Sequence, residues 1–487
     1  MEKDLGKKVG NSLKWSAITE IIAKIIIPVN NMILARLLTP EAFGVVATVN
    51  MVVSFVEVFT DAGFQKYLIQ HEFKDEQDRE ESTNVAFITN MLLSLLIWAV
   101  IIIFKDGIAD MVGNPGLGTV IAIASVQVPI VGLASIQMSL YKRDFDFKTL
   151  FYRRIIVALA PLVVSVPLAI SGFGYWALII GNIASQVANA VILTVKSKWK
   201  PRLFYSFSKL KEMFSFSFMT LLESIAVWFS TWVDMFILGK YLPDYYLGLY
   251  KTSLQMVNSL IQIVISATIP VLFSTLSRLQ NDDKAYKTYL FEFQKMVSFL
   301  VFPIGTGVML YRELATSILL GSKWIEAAPM IGIWCLTRSL TVTTAFFCSE
   351  IYRSKGKPQV SFGVQILYVA LLIPACIFGA KRGIWTLVYL KAATAVAFIL
   401  LHLLATNIFM KISALGMIKN LGKPILCSAL MGCVGLALQQ VSDNILWSIV
   451  SILICIVVYG LLFYAVSKKE ALVIINFCKN YINKNKN

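Results

Sequence analysis

The stretch Ile33-Leu-Ala-Arg-Leu-Leu-Thr-Pro-Glu-Ala-Phe-Gly44 decides the architecture of this chain, because a similar stretch recurs in the second half. It aligns without gaps on Ile237-Leu-Gly-Lys-Tyr-Leu-Pro-Asp-Tyr-Tyr-Leu-Gly248, 204 residues later. Two shorter matches follow in the same order: Gly174-Tyr-Trp-Ala-Leu178 with Gly383-Ile-Trp-Thr-Leu387, and Tyr141-Lys142 with Tyr352-Arg353. Three matches in one order indicate an internal duplication.

The composition indicates an integral membrane protein. The 487 residues are 57% hydrophobic and 15% charged, with a mean hydropathy of +0.72, whereas about a quarter of a soluble domain is charged. Apolar runs between charged or Gly/Pro breaks predict about fourteen transmembrane helices. The predicted spans cover residues 14–37, 42–62, 83–104, 118–140, 152–170, 174–195, 213–238, 246–272, 288–311, 327–350, 360–379, 384–408, 424–440 and 445–466.

The duplication arranges these helices. Six spans return the chain to its starting side, so the two copies lie in parallel orientation. We therefore predict an all-α integral membrane fold with two pseudo-symmetric six-helix lobes and two additional C-terminal helices. The N-lobe takes residues 1–200 and the C-lobe residues 201–411, while residues 412–487 hold the last two helices and a cytoplasmic tail.

The net charge of +16 reflects the orientation of the spans in the membrane and does not indicate nucleic-acid binding. Most of the Lys and Arg residues fall in loops on one predicted side, and the positive-inside rule makes that side, with both termini, cytoplasmic. Contact with anionic headgroups is the simplest further role of these loops. The densest clusters are Lys142, Arg143, Lys148, Arg153 and Arg154, and then Lys196, Lys198, Lys200, Arg202, Lys209 and Lys211.

Polar residues inside the spans form stripes at helical spacing. A charge at a helix centre costs ~2.5–3.5 kcal/mol on insertion scales, so such residues should face a wet cavity or one another. The stripes lie on the first two spans of each copy, and Ser54 and Asn258 are equivalent in the alignment. Ordinary interhelical hydrogen bonding is the alternative. The carboxylates that are candidates for ion coupling are Glu20, Glu57, Asp61, Glu223 and Asp234.

A family resemblance rests on the first copy. The stretch 33–44, followed by Phe59-Thr-Asp-Ala-Gly-Phe64 and Tyr67-Leu-Ile-Gln70, resembles the Wzx-type polysaccharide and O-antigen flippases, particularly their colanic acid and teichuronic acid exporter branch. The resemblance implies the MOP superfamily, with lobes that alternate between inward and outward openings. It also implies a cargo of undecaprenyl-pyrophosphate-linked oligosaccharides, moved across the bacterial inner membrane for lipopolysaccharide, capsule or exopolysaccharide.

The resemblance further implies a cationic central cavity. A pyrophosphate bears about two negative charges and favours Lys or Arg in a low-dielectric cavity. The cations whose span positions suit this role are Lys24, Lys251, Arg338 and Lys391. Glycans favour aromatic faces and amides, although aromatic residues at helical spacing are more often packing. The glycan-facing candidates are Trp228, Trp232, Tyr250, Gln255 and Asn258.

Two alternative functions stay open at this point. A MATE-like drug and cation antiporter would use the buried carboxylates, whereas a membrane glycan polymerase or acyltransferase would need a placed base or nucleophile. The chain has only two histidines, His71 and His402, and short outer loops, which favours a protein that is not an enzyme. We expect no metal or cofactor beyond a coupling H⁺ or Na⁺. The expected partners are a lipid-linked oligosaccharide, membrane lipids, and a polysaccharide polymerase with its chain-length regulator.

Overall fold

The computed structural model describes residues 26–61, 64–144, 146–442 and 444–468, which are helical with short connections and contain no strand. The chain divides into two compact units, Met1–Lys251 and Thr252–Asn487. The all-α class predicted from the sequence is confirmed for this part of the chain. The division into lobes at residues 200 and 411 stays a prediction.

The first unit contains ten helices among its described residues, and an eleventh begins in it and continues into the second unit. They are α1 (Ile26–Leu37), α2 (Pro40–Asp61), α3 (Phe64–Gln70), α4 (Glu76–Ile103), α5 (Lys105–Met111), α6 (Gly118–Ala124), α7 (Gln127–Arg143), α8 (Phe147–Ile170), α9 (Tyr175–Lys196), α10 (Phe207–Tyr241) and α11 (Asp244–Arg278).

The described residues of the second unit form eight further helices, one 3₁₀ turn and one π-helical turn. The helices are α12 (Asp283–Leu310), α13 (Arg312–Leu319), α14 (Ala328–Thr341), α15 (Phe347–Ser354), α16 (Pro358–Arg382), α17 (Ile384–Met410), α18 (Ala414–Gln439) and α19 (Ile445–Val466). The 3₁₀ turn Ser322–Ala327 precedes α14, and the π-helical turn Val342–Phe346 joins α14 to α15.

Short polar residues fix where several helices begin. The Asp75 side chain accepts the Asp78 N–H at 2.7 Å at the start of α4, and Asp146 accepts the Thr149 N–H at 3.1 Å at the start of α8. Asn444 does the same for α19. The first N–H groups of a helix have no partner within it, so each cap stabilises the helix start by about 1 kcal/mol.

Twelve helical segments in the described ranges are long and apolar enough to cross a membrane. They correspond to all the predicted spans except the first and the seventh. The first span is described only from residue 26, as the short apolar helix Ile26–Leu37. The seventh lies within the 35-residue α10, whose polar content includes Glu223 and Asp234, and α10 is not among the twelve. The chain is a multi-pass membrane protein, and the count of fourteen stays a prediction.

The two copies of the repeated stretch pack against each other inside the first unit. A Cβ atom on Gly44 would lie 2.6 Å from the Asp244 carbonyl carbon, and one on Gly248 would lie 2.7 Å from the Pro40 carbonyl carbon. No side chain fits in either place, since real Cβ contacts are not this short. The glycines that align in the sequence therefore allow the starts of α2 and α11 to cross with their backbones in contact.

Candidate functional site

A residue of the polar stripe predicted on the second span contacts α10, which contains the seventh predicted span. Trp228 Nε1 on α10 donates a hydrogen bond of 3.0 Å to Ser54 Oγ on α2, and Ser54 Oγ donates to the Met51 carbonyl oxygen at 3.0 Å. The Trp228 ring also packs on Phe55, with 4.7 Å between ring centroids. An indole N–H in an apolar environment needs an acceptor, and Ser54 supplies it.

Lys251, one of the predicted cavity cations, lies over an aromatic ring. Its Nζ atom is 3.5 Å from the centroid of Trp232, which follows Trp228 by one turn of α10. A cation over an indole is stabilised by roughly 0.5–2 kcal/mol, depending on how far the pair is removed from water. The structure thus joins a predicted cation and a predicted glycan-facing residue in one contact.

Tyr250 and Asp234 form a buried pair next to this contact. The Tyr250 hydroxyl donates to Asp234 Oδ2 at 2.6 Å, and the Met235 N–H donates to Asp234 Oδ1 at 2.7 Å. The two side chains are 0% and 7% exposed. The geometry therefore places Tyr250, which we predicted to face the glycan, in an internal contact between α10 and α11.

The second unit brings two predicted cations to neighbouring positions on α14 and α17. Lys391 Nζ is 5.8 Å from the centroid of Trp334, and Trp334 precedes Arg338 by one turn of α14. The Arg338 guanidinium carbon lies 4.8 Å from the centroid of Phe346. Every predicted cavity cation that the structure describes thus lies over an aromatic ring.

The π-helical turn Val342–Phe346 carries the ring under Arg338. Gln294 Nε2 on α12 donates to the carbonyl oxygen of Thr343, within the turn, at 2.9 Å. Such turns are frequent at functional sites, because they change the facing of the residues that follow. Arg338 Nε is buried and, among the described residues, has no hydrogen-bond partner. A guanidinium with an unused donor suits an anionic ligand.

Two aromatic residues of this cluster were missed by sequence reasoning, Trp334 and Phe346. Trp334 had a usable signal, since it lies four residues before Arg338 and therefore on the same helical face. Phe346 had no such signal in the sequence. It follows Arg338 by eight residues, which span about 12 Å in a regular α-helix, and the π-helical turn between them is seen only in the structure.

The other predicted site residues are less informative. Gln255 and Asn258 are exposed on the part of α11 that belongs to the second unit, and Glu57 is partly buried on α2. Glu20 and Lys24 lie outside the described residues, as do the side chains of Asp61 and Glu223. In the described ranges, no group of three or more His, Cys, Asp or Glu residues could hold a metal ion. The roles of all these residues stay predictions.

Comparisons with known proteins identify relatives over most of the chain. The model of the family described as "Polysaccharide biosynthesis protein" matches residues 33–329. The succinoglycan biosynthesis transport protein ExoT of Rhizobium meliloti is 26% identical over 77% of this chain and 75% of its own length. The teichuronic acid biosynthesis protein TuaB of Bacillus subtilis is 21% identical over 90% of both chains.

Solved structures show the same fold. The lipid II flippase MurJ, in an inward closed conformation, superposes with a TM-score of 0.72 at 17% identity, over 93% of this chain and 98% of that chain. An inward-facing multidrug resistance MATE family transporter of the MOP superfamily gives a TM-score of 0.58 at 13% identity, over 80% of this chain and 99% of that chain. The predicted MOP-type fold is confirmed.

Proposed function

The chain belongs to the polysaccharide biosynthesis protein family, and from this membership we propose that it is a flippase for lipid-linked oligosaccharides. The cargo that we propose is an undecaprenyl-pyrophosphate-linked repeat unit of an exported polysaccharide. The membrane is the bacterial cytoplasmic membrane, with both termini on the cytoplasmic side, as the distribution of Lys and Arg indicates. A polysaccharide polymerase and its chain-length regulator would act on the product.

One observation carries the proposal at the level of the site, the cation cluster on α14 and α17. Lys391 lies 5.8 Å from the ring of Trp334, and Arg338 follows Trp334 by one turn of α14. Both cations belong to helical segments that are long and apolar enough to cross a membrane. A charge in such a position is costly and is usually retained for function. Since a pyrophosphate needs more than one cation, this pair of positive charges supports an anionic head group as ligand.

The mechanism that we propose is alternating access. The pyrophosphate contacts the cations while the polyprenyl tail stays in lipid, and a change between two global states transfers the glycan to the other side. Ligand binding drives the change only to the extent that the two states bind the ligand with different affinity. The buried Asp234, or Glu57, is our candidate for coupling this change to an H⁺ or Na⁺ gradient.

A drug and cation antiporter is the second candidate, and Asp234 is the observation that favours it. A buried carboxylate attracts a cationic substrate, and the MATE transporter has the same fold. However, both Asp234 oxygens already accept hydrogen bonds, from Tyr250 and from the Met235 N–H. The flippase is therefore the better supported function, and a membrane glycan polymerase or acyltransferase is less favoured than either.

Purified protein in proteoliposomes would test the proposal. We expect transfer of an undecaprenyl-pyrophosphate-linked glycan to fall at least tenfold in Arg338→Ala and Lys391→Ala, because hydrogen bonds between charged groups contribute about 1.5–3 kcal/mol each. The control variant is Lys381→Ala, which removes a lysine from the last turn of α16. Unchanged transfer in both test variants would refute the anion site. Binding of lipophilic cations without any transfer of the glycan would favour the antiporter.

A further inference from the structure

Gln294 is a buried amide on α12 that contacts two other elements of the second unit. Its side chain is 0% exposed. The Nε2 group donates to the Thr343 carbonyl oxygen at 2.9 Å, within the π-helical turn. The Oε1 atom accepts a hydrogen bond of 3.0 Å from Asn420 Nδ2 on α18. One side chain therefore links α18 to the turn that carries the ring under Arg338.

The Thr343 carbonyl oxygen has lost its usual helical donor. In a regular α-helix it would accept the Phe347 N–H, but that N–H donates to the Thr344 carbonyl oxygen. A backbone carbonyl without a partner is costly within a segment that crosses a membrane, and this turn lies in such a segment. Gln294 supplies a donor from a neighbouring helix, so it stabilises the π-helical turn.

A second contact joins α12 to α14 directly after Arg338. Ser339 Oγ donates to the Val301 carbonyl oxygen at 3.2 Å, and a Cβ on Gly305 would lie 3.1 Å from the Ser339 Cβ. Ser339 and Thr343 both follow Arg338 by less than two helical turns. The part of α14 that holds the cation is therefore fixed against α12 by hydrogen bonds at two levels.

Asn420 fixes the orientation of the Gln294 amide. Its Nδ2 group also donates to the Phe291 carbonyl oxygen at 2.7 Å, so Asn420 is itself held on α12. An amide side chain can present either its oxygen or its NH₂ group to a neighbour. The donor from Asn420 favours the orientation in which the Gln294 oxygen faces α18 and its NH₂ group faces the turn.

The first unit contains a related amide without this support. Asn90 Nδ2 on α4 donates to the Gly132 carbonyl oxygen on α7 at 3.3 Å and to Ser135 Oγ at 2.6 Å. Thr343 follows Gly132 by 211 residues, the separation of the shortest of the three repeat matches. The Asn90 Oδ1 atom is buried and has no partner in the described part of the chain, whereas the Gln294 oxygen accepts from α18. The link to α18 is thus an addition in the unit that holds the cation cluster.

From these contacts we infer that Gln294 is a positioning residue for the anion site and that Asn420 acts through it. This inference rests on the proposed function, in which Arg338 binds a pyrophosphate. Gln294 holds the π-helical turn, and the turn holds the Phe346 ring 4.8 Å from the guanidinium carbon. The buried Nε–H of Arg338 then stays available to the anion. Neither amide contacts the ligand, and α18, which follows the repeated part of the chain, sets the affinity of the site.

Binding of fluorescently labelled farnesyl pyrophosphate to the full-length protein in detergent tests the inference. Gln294→Met retains the length of the side chain and loses the amide, and we expect the Kd to rise about fivefold. Asn420→Leu should raise it about threefold. The double variant should bind no more weakly than Gln294→Met alone, because Asn420 acts through Gln294. In an Arg338→Ala background, Gln294→Met should not change the Kd, and labelled farnesol, which has no pyrophosphate, should bind all variants alike.

Asn90→Leu is the matched control, because it removes the related amide of the first unit and should leave the Kd unchanged. The inference alone is overturned by an unchanged Kd in Gln294→Met, by an equal rise in Asn90→Leu, or by a further rise when Gln294→Met is added to Arg338→Ala.

Two other results would overturn the proposed anion site and the inference with it. One is wild-type protein that binds farnesyl pyrophosphate no better than farnesol, and the other is an unchanged Kd in Arg338→Ala. If Gln294→Met does not fold, Asn420→Leu replaces it in the same comparisons, with its threefold rise expected, and an unchanged Kd there would overturn the inference.

Discussion

Gly44 and Gly248 occupy the same position in the two copies of the repeat and lie against each other's helix. A Cβ on Gly248 would be 3.0 Å from the Gly44 backbone nitrogen. The aligned glycines of the repeat therefore form the contact between α2 of the first copy and α11 of the second. In the proposed topology this crossing lies at the outer ends of α2 and α11, and we expect an outward opening to separate it.

Enlarging one of these glycines should disfavour the crossing. Overpacking typically costs about 1–3 kcal/mol, so Gly248→Ala should raise the population of the separated state roughly tenfold. Thr48→Cys would report it, because Thr48 is 1% exposed and accepts a hydrogen bond from Asn114 beside the crossing. In a background without the seven native cysteines, the rate of maleimide labelling should rise by the same factor.

Gly107→Ala is the matched control for this experiment. A Cβ on Gly107 would meet no described atom within 4 Å, so the labelling rate at residue 48 should not change. If Gly248→Ala labels no faster than Gly107→Ala, the glycine crossing does not limit opening.

The hydrogen bond between Trp228 and Ser54 should show energetic coupling between α10 and α2. Trp228→Phe retains a ring but loses the N–H, and Ser54→Ala removes its acceptor. We expect a coupling free energy of about 1 kcal/mol in a double-mutant cycle, measured from chemical unfolding in mixed micelles. A cycle of Ser54→Ala with Val227→Ala, whose side chain is 60% exposed, should give none. Additive effects for Trp228 and Ser54 would contradict the bond.

Tyr250→Phe separates an anchoring role from a glycan contact. Removing a hydroxyl that donates to the buried Asp234 at 2.6 Å should lower the free energy of unfolding by about 1.5–3 kcal/mol. Because Tyr250 is 0% exposed, KM for the lipid-linked glycan should stay the same. Tyr246→Phe, at a partly exposed residue, is the control for stability. A raised KM with unchanged stability would support the glycan-facing prediction.

Much of the fold could be predicted from the sequence because hydropathy and repetition are strong signals. Span length follows from bilayer thickness, and twelve of the predicted spans correspond to apolar helices in the structure. The helical spacing also placed Ser54 in a polar stripe, and the structure shows its hydroxyl accepting a hydrogen bond from Trp228. These features depend on helix geometry, which the sequence encodes locally.

The details of the site depend on tertiary contacts that no local pattern encodes. Tyr250 has the spacing of a cavity residue, yet its hydroxyl is directed to Asp234. Phe346 contacts Arg338 across a π-helical turn, which the sequence does not predict. Likewise, Arg143 and Arg153 belong to one basic cluster in the sequence, but Arg143 donates to backbone carbonyl oxygens and Arg153 to the Met138 sulfur.

Phe346 should tune the anion affinity of Arg338 through its ring. Phe346→Leu retains apolar volume and loses the π face, which is worth roughly 0.5–2 kcal/mol to a cation. We expect a change of about threefold or more in the Kd of a pyrophosphate-bearing polyprenyl lipid, measured by its own fluorescence label. Phe346→Tyr preserves the ring and should retain the wild-type Kd. Equal values for Leu and Tyr would show that only packing matters at this position.

Arg143 should act as a structural clamp, in contrast to the headgroup contact that its basic cluster predicts. Its NH1 group donates to the carbonyl oxygens of Leu68 and His71 at 2.8 Å, and its guanidinium lies 4.6 Å from the ring centroid of Phe73. A lysine cannot reproduce this planar contact, so Arg143→Lys should lower the free energy of unfolding by about 1–3 kcal/mol. The adjacent, exposed Lys142→Arg makes a similar exchange and should have no effect. Thermal unfolding in detergent, with and without phosphatidylglycerol, separates the two roles. If Arg143 is a clamp, Arg143→Lys lowers the stability in both conditions. If Arg143 binds a headgroup, the variant loses only the stabilisation that the lipid provides.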